Sequence, residues 1–168
     1  MKTSHFTHST KLFTGLFMIA ASVAFAVSAQ AATTGTITLS GTVAAATAIT
    51  VTPAAGYNSL DLSTTQSNLN VATVREINNT TLGYSVKVAS TNAGLLKNGT
   101  LGSVTYTSQY NGSSYTLSAT PQTVTTGTAS NSVVNVTKPL TISYTGTAAD
   151  SLMQGSYSDT LTFTITSP

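Results

Sequence analysis

The chain of 168 residues has no cysteine and no tryptophan, and only 6% of it is charged. An ordinary soluble domain is about 25% charged. Without cysteine there is no disulfide scaffold, no thiolate metal site and no cysteine nucleophile. So little charge also excludes an acidic or basic disordered tail, whose disorder depends on high net charge. The length fits one domain with at most a short appendage. The formal net charge is +2. Whether that excess points to nucleic acid or to a membrane surface depends on where the cations sit.

They sit at the front. Lys2 and Lys11 flank a polar start that carries His5 and His8. An apolar run from Leu12 to Val27 follows, and Ala29-Gln30-Ala31 closes it with small residues. A basic start, an apolar middle and a small-x-small exit read as a secretory signal peptide over 1–31, cleaved after Ala31. The run is short for a membrane span, which takes about 20 residues. No cysteine stands at the cleavage site, so lipoprotein anchoring is excluded, and no second apolar run follows. Export would leave 137 residues in which Arg75, Lys87, Lys97 and Lys138 balance Asp61, Glu76, Asp150 and Asp159. Four scattered cations make no basic stripe, so nucleic acid is not an expected partner. Both histidines leave with the signal.

What remains is rich in Thr, Ser, Val, Ile, Leu and Tyr, a composition suited to pleated, half-buried surfaces. Apolar residues recur at period 2 along the whole chain. Ile49 and Val51 alternate before Pro53, and Leu60 and Leu62 after the Ala55-Gly56 turn. Leu69 to Ile77 reads as a strand with imperfect alternation. Tyr84, Val86 and Val88 share a face. Val104, Tyr106 and Tyr110 precede Asn111-Gly112, with Tyr115 and Leu117 beyond it; Asn-Gly tolerates the positive φ angles of a type I′ hairpin, and this loop is expected to run on through Ser113-Ser114. Thr120 to Ser132 reads as a long loop or weak edge strand. Val134 and Val136 come next, then Leu140, Ile142 and Tyr144, and finally Leu161, Phe163 and Ile165. No window keeps a helical period, and Ala148 to Gln154 offers one helical turn at most. The fold class is therefore all-β, an Ig-like antiparallel β-sandwich.

Inventories of catalytic groups come up short. Glu76 sits beside Arg75 in a strand, and the other three carboxylates lie near turns, apart in sequence. No Ser-x-x-Lys occurs. Ser85 and Lys87 form an i, i+2 pair that suits a solvated outer face. No glycine-rich phosphate loop and no Asp-rich calcium loop is present. The expectation is no enzyme, no cofactor and no metal site. The Asn-x-Thr/Ser matches at Asn79, Asn98, Asn111 and Asn135 are read as surface turns.

Directly after the cleavage site, Gly35-Thr36-Ile37-Thr38-Leu39-Ser40-Gly41-Thr42-Val43 places Ile37, Leu39, Gly41 and Val43 on one face and hydroxyl residues on the other. This segment, in this place, resembles the donor strand of subunits of bacterial chaperone–usher fimbriae. Lys138-Pro139-Leu140-Thr141-Ile142-Ser143-Tyr144 is similar to their penultimate strand. Gly155 to Ile165 is similar to their final strand, also seen in spore-coat-U-like fimbrial domains. The absence of cysteine places the resemblance in the Cys-free branch. The chain departs from many such subunits in ending Thr166-Ser167-Pro168, with no aromatic residue next to last.

The resemblance implies an arm over 32–44 and a pilin-type sandwich over 45–168 that lacks one strand. A donor strand, with Ile37, Leu39, Gly41 and Val43 facing inward, would complete it beside Leu161, Phe163 and Ile165. The partners implied are identical subunits in a homopolymer, a periplasmic chaperone and an outer-membrane usher, with no membrane span of the chain's own. The place implied is a cell-surface fimbria, reached through the periplasm, and the role is adhesion or biofilm formation. The alternative is a self-complete secreted β-sandwich, a matrix or glycan- or protein-binding protein, in which Tyr106, Tyr110 and Tyr115 could form a sugar platform. Cross-strand sheet pairing is the commoner use of such tyrosines.

Overall fold

The computed structural model describes residues 34–168. The export signal expected over 1–31, and the first residues of the expected arm, lie outside the described residues. The described chain divides into a short N-terminal unit that ends at Gly41 and a body from Thr42 to Pro168.

The body is an antiparallel β-sandwich. Its strands are β1 (Thr47–Pro53), β2 (Gln66–Asn78), β3 (Tyr84–Ser90), β4 (Leu95–Lys97), β5 (Ser103–Tyr110), β6 (Ser113–Tyr115), β7 (Gln122–Gly127), β8 (Val134–Tyr144) and β9 (Leu161–Thr166), with one 3₁₀ turn over Ala149–Ser151. One sheet has the order β1-β2-β8-β5-β4, with β6 also paired to β5, and the other has the order β7-β3-β9. Every pairing is antiparallel. In chain order, β1, β2, β3, β5, β8 and β9 take the places of Ig strands A to F. Strands A, B, E and D share one sheet, and C and F share the other. Strand G of that layout would lie on the free edge of β9, and among the described residues no strand pairs there.

Period-2 patterning explains the burial. β3 buries Tyr84, Val86 and Val88 and exposes Lys87. β5 buries Val104, Tyr106, Ser108 and Tyr110. β8 buries Leu140, Ile142 and Tyr144. One core cluster gathers Leu96, Val104, Tyr106, Ile142 and Tyr144, and a second gathers Ala72, Val74, Tyr110 and Leu140. The imperfect alternation of β2 has a cause: its register against β8 shifts between Gln66 and Leu69 and again between Asn70 and Ala72. Each bulge inserts an unpaired residue and resets which face follows.

Two expectations need correction. Leu60 and Leu62 do not form a strand. The Asp61 carboxylate accepts hydrogen bonds from Ser63 N at 3.0 Å, Ser63 Oγ at 2.6 Å and Thr64 Oγ1 at 2.8 Å, which closes a turn in place of a ladder. The hairpin loop does not extend through Ser113-Ser114. Asn111 (φ 51°) and Gly112 (φ 77°) make the whole turn, and Ser113 already pairs with Tyr110. The short strand β4 leaves no pattern in the sequence, because three residues are too few to show a period.

Candidate functional site

The two edges that face each other on one side of the sandwich are β1 and β9. β1 pairs only with β2, and β9 only with β3. Leu161, Phe163 and Ile165 all point inward from β9, yet each is only half-buried, whereas Val86 and Val88 on the neighbouring β3 are fully buried. On β1, Ile49 is half-buried and Val51 exposed. Between these edges lies a cleft of about 350 Å³, walled by Val51 and Pro53 on one side and Leu161 on the other. Ala72, Leu140 and Ile142 form its floor, so the cleft reaches the core itself. An open strand edge beside uncovered apolar side chains is the geometry that recruits another strand.

The expected donor residues lie in chain that belongs to no helix or strand. Ile37 is 84% exposed, Leu39 85% and Val43 90%. Around Gly41 the space is open, with no atom within 4 Å of where a Cβ would stand. Singly exposed apolar residues are ordinary; here Ile37, Leu39 and Val43 are exposed together in one unpaired segment.

The two sheets are tied by hydrogen-bond networks centred on two carboxylates, Glu76 and Asp159. Glu76 is 0% exposed. Its Oε2 accepts from Lys138 Nζ at 2.8 Å and from Tyr84 Oη at 2.9 Å, and its Oε1 accepts from Tyr110 Oη at 2.5 Å and Thr125 Oγ1 at 3.2 Å. Lys138 also lies over the Tyr110 ring, 5.4 Å from its centroid. Burial raises the pKa of Glu76, but the hydrogen bonds from Lys138, Tyr110 and Tyr84 and the Lys138 charge outweigh it, and the carboxyl is held below its ordinary value. Burial, with the same pairing added to it, pushes Tyr84 up to about 12. Near the cleft, Asp159 accepts from Tyr106 Oη at 2.7 Å, Ser90 Oγ at 2.5 Å and the Asn92 amide at 2.9 Å. The signal for Glu76 was present in phase: it shares a strand face with Ala72 and Val74, as Lys138 does with Leu140 and Ile142.

These networks join strands of both sheets. Each acceptor is satisfied, and no buried side-chain polar atom among the described residues lacks a partner. Also among the described residues, no group of three or more His, Asp or Glu side chains converges as metal ligands do, and no helix is long and apolar enough to cross a membrane. The tyrosine platform does not exist. Tyr106 and Tyr110 are buried, and Tyr115 is half-buried with its hydroxyl donating to Ser108 Oγ at 3.0 Å. The alternation of β5 turns the Tyr106 and Tyr110 rings into the core.

No family model matches the chain, and no curated protein matches it. Among solved structures it is similar to the P pilus rod subunit PapA, with a TM-score of 0.39 and 11% identity over 70% of this chain and 99% of that one.

Proposed function

We propose that the chain is a structural subunit of a surface fibre, polymerised by strand exchange. The segment Gly35–Val43 of one copy adds to the free edge of β9 in the next. The observation that carries this reading is the half-buried inner face of β9, Leu161, Phe163 and Ile165, at an edge with no paired strand, in a chain that also exposes Ile37, Leu39 and Val43. Nine extended residues reach about 27 Å, enough to run the length of the six-residue β9 at about 3.3 Å per residue. Each aliphatic side chain covered in the cleft contributes about 1.5–3 kcal/mol. Gly41 leaves room where the two backbones approach closely. Repetition is head to tail and does not close, so the product is a fibre. The exposed edge needs cover before assembly, and on this reading a periplasmic chaperone supplies it and an outer-membrane usher exchanges it at the cell surface, where the fibre serves adhesion or biofilm formation.

A chain lacking residues 34–43 tests this. Its body should stay folded, fail to polymerise, and be stabilised against heat by a synthetic peptide of Gly35–Val43, since a ligand of the native state raises the melting temperature. A truncated chain that forms fibres as the full one does, or a body indifferent to the peptide, contradicts the reading.

A further inference from the structure

We propose that Asn79 is a positioning residue: it holds the root of the arm in line with β1, and so directs the arm to a second copy of the chain instead of its own cleft. This rests on the strand-exchange reading above. The last paired residues of β1 and β2 are Thr47 and Asn78. One step further, Asn79 N donates to Ala46 O at 3.0 Å. Its side chain then continues the ladder, because Oδ1 accepts from Ala46 N at 2.6 Å and Nδ2 donates to Ala44 O at 2.9 Å. A single side-chain amide thus stands in for the next peptide group and pins Ala44 and Ala46 together.

That pin sits where direction is decided. Thr47 Oγ1 and Thr80 Oγ1 both donate to Asn78 Oδ1, at 3.0 and 3.2 Å, and Thr80 Oγ1 meets Ser167 Oγ at 2.7 Å. The start of β1 and the end of β9 therefore share one end of the sandwich, and the two strands run in opposite directions along the cleft. An arm returning into its own cleft has to reverse over Ala44–Ala46 and run against β1, which makes it parallel to β9. The reversal breaks the Asn79 bonds. It also asks a tight turn of three alanines, with no Gly, Asn, Asp or Pro to supply turn geometry. Parallel pairing is in addition slightly weaker per residue than antiparallel. An arm from another copy meets none of these obstacles and is free to pair antiparallel.

Disulfide trapping in the otherwise cysteine-free, full-length exported chain tests the idea. Thr38→Cys is combined in turn with Thr162→Cys, Thr164→Cys or Thr166→Cys, which are outward-facing positions that spare the apolar faces, and each pair is oxidised with diamide. In the parent the cross-links should join different chains and give a ladder of oligomers. Asn79→Ala should shift the ratio of intrachain to interchain product by at least about tenfold, the scale of losing one or two net hydrogen bonds. If Asn79→Ala does not fold, as melting will reveal, Asn79→Asp keeps the acceptor for Ala46 N but loses the donor to Ala44 O, and is expected to shift the ratio in the same direction. Cross-links that stay interchain in every folded variant overturn the positioning role and leave strand exchange standing. A parent that yields no cross-link at any of the three positions overturns strand exchange, and the positioning role with it.

Discussion

Tyr110 on β5 donates its hydroxyl to Glu76 on β2 at 2.5 Å, across the strand that lies between them. That strand, β8, contributes Lys138 to the same carboxylate, and the opposite sheet contributes Tyr84 from β3 and Thr125 from β7. One buried charge therefore fastens five strands and both sheets. A sandwich short of a strand has less apolar area to hold its halves together. Polar fasteners of this kind define the register of the halves as well as their contact.

Glu76→Ala should be among the most damaging single changes. It leaves the Lys138 amine and two tyrosine hydroxyls without their acceptor, and breaking a buried pair by removing one partner costs about 3–5 kcal/mol. Lys138 retains some access to water, with 16% of its side chain exposed, which favours the lower end. Replacing both members, Glu76→Met with Lys138→Met, should recover part of the loss, since no unpaired charge remains while the Tyr84 and Tyr110 hydroxyls still lack their acceptor. Urea unfolding of the two variants beside the parent measures the difference.

The same carboxylate sets a pH window. Its pKa in the fold lies below the ordinary 4.5, so the native state binds fewer protons than the unfolded chain. The associated stability is fully present above about 4.5 and is lost as pH falls through the folded-state value. At the other limit, Tyr84 is raised from 10.0 to about 12, and burial with Glu76 bonding raises Tyr110 as well. Their contribution is complete below pH 10 and disappears as pH rises through the raised values. Melting temperature against pH should form a plateau between these limits. In Glu76→Gln the acid shoulder should flatten, leaving only what other carboxylates such as Asp61 contribute.

The fold was legible because alternation was clean. Tyr84-Ser85-Val86-Lys87-Val88 and Leu161-Thr162-Phe163-Thr164-Ile165 each announce a strand and its inner face. Asn111-Gly112 announced a hairpin, since few other pairs accept two positive φ angles. The Leu60 and Leu62 expectation failed because a local carboxylate, Asp61, offered the backbone a competing set of bonds. The Glu76–Lys138 pair was hidden by its distance in sequence, 62 residues. Phase along each strand marks both as inward-facing, but only the sheet order shows that β2 and β8 are neighbours. The apolar faces of the candidate site were legible as a pattern. The cleft between β1 and β9 was not, because it depends on which two edges meet.

Gly127 offers a test of inter-sheet geometry away from the cleft. It pairs with Tyr84 at the end of β7, and a Cβ built there meets the Tyr84 ring. The ring lies over the bare glycine backbone, an arrangement that compensates for the missing side chain. Gly127→Ala should push the ring aside and lengthen its bond to Glu76, with a cost of about 1–3 kcal/mol, the usual range for overpacking. Tyr84→Phe with Gly127→Ala should cost less than the sum of the single changes, because both act on one contact. A double-mutant cycle by urea unfolding reads that coupling, and strict additivity would place the ring elsewhere.

The arm can be separated from the cleft by charge. Leu39 lies in the middle of the apolar face of Gly35–Val43 and is exposed in the free chain, so Leu39→Asp should leave the stability of the body within about 0.5 kcal/mol, as surface changes do. In the cleft, the same change forfeits the burial of an aliphatic side chain and buries an unpaired carboxylate, which costs several kcal/mol. The variant should therefore be unable to donate and still able to accept. Mixed in equal amount with wild-type chain, it should shorten fibres by ending them at one end only, which length distributions in electron micrographs will reveal. Phe163→Ala should do the opposite. It removes a ring on the inner face of β9 whose centroid lies 5.6 Å from that of Tyr110, so that variant should donate normally and accept poorly. If both variants failed at the same end, the assignment of arm and cleft to opposite roles would be wrong.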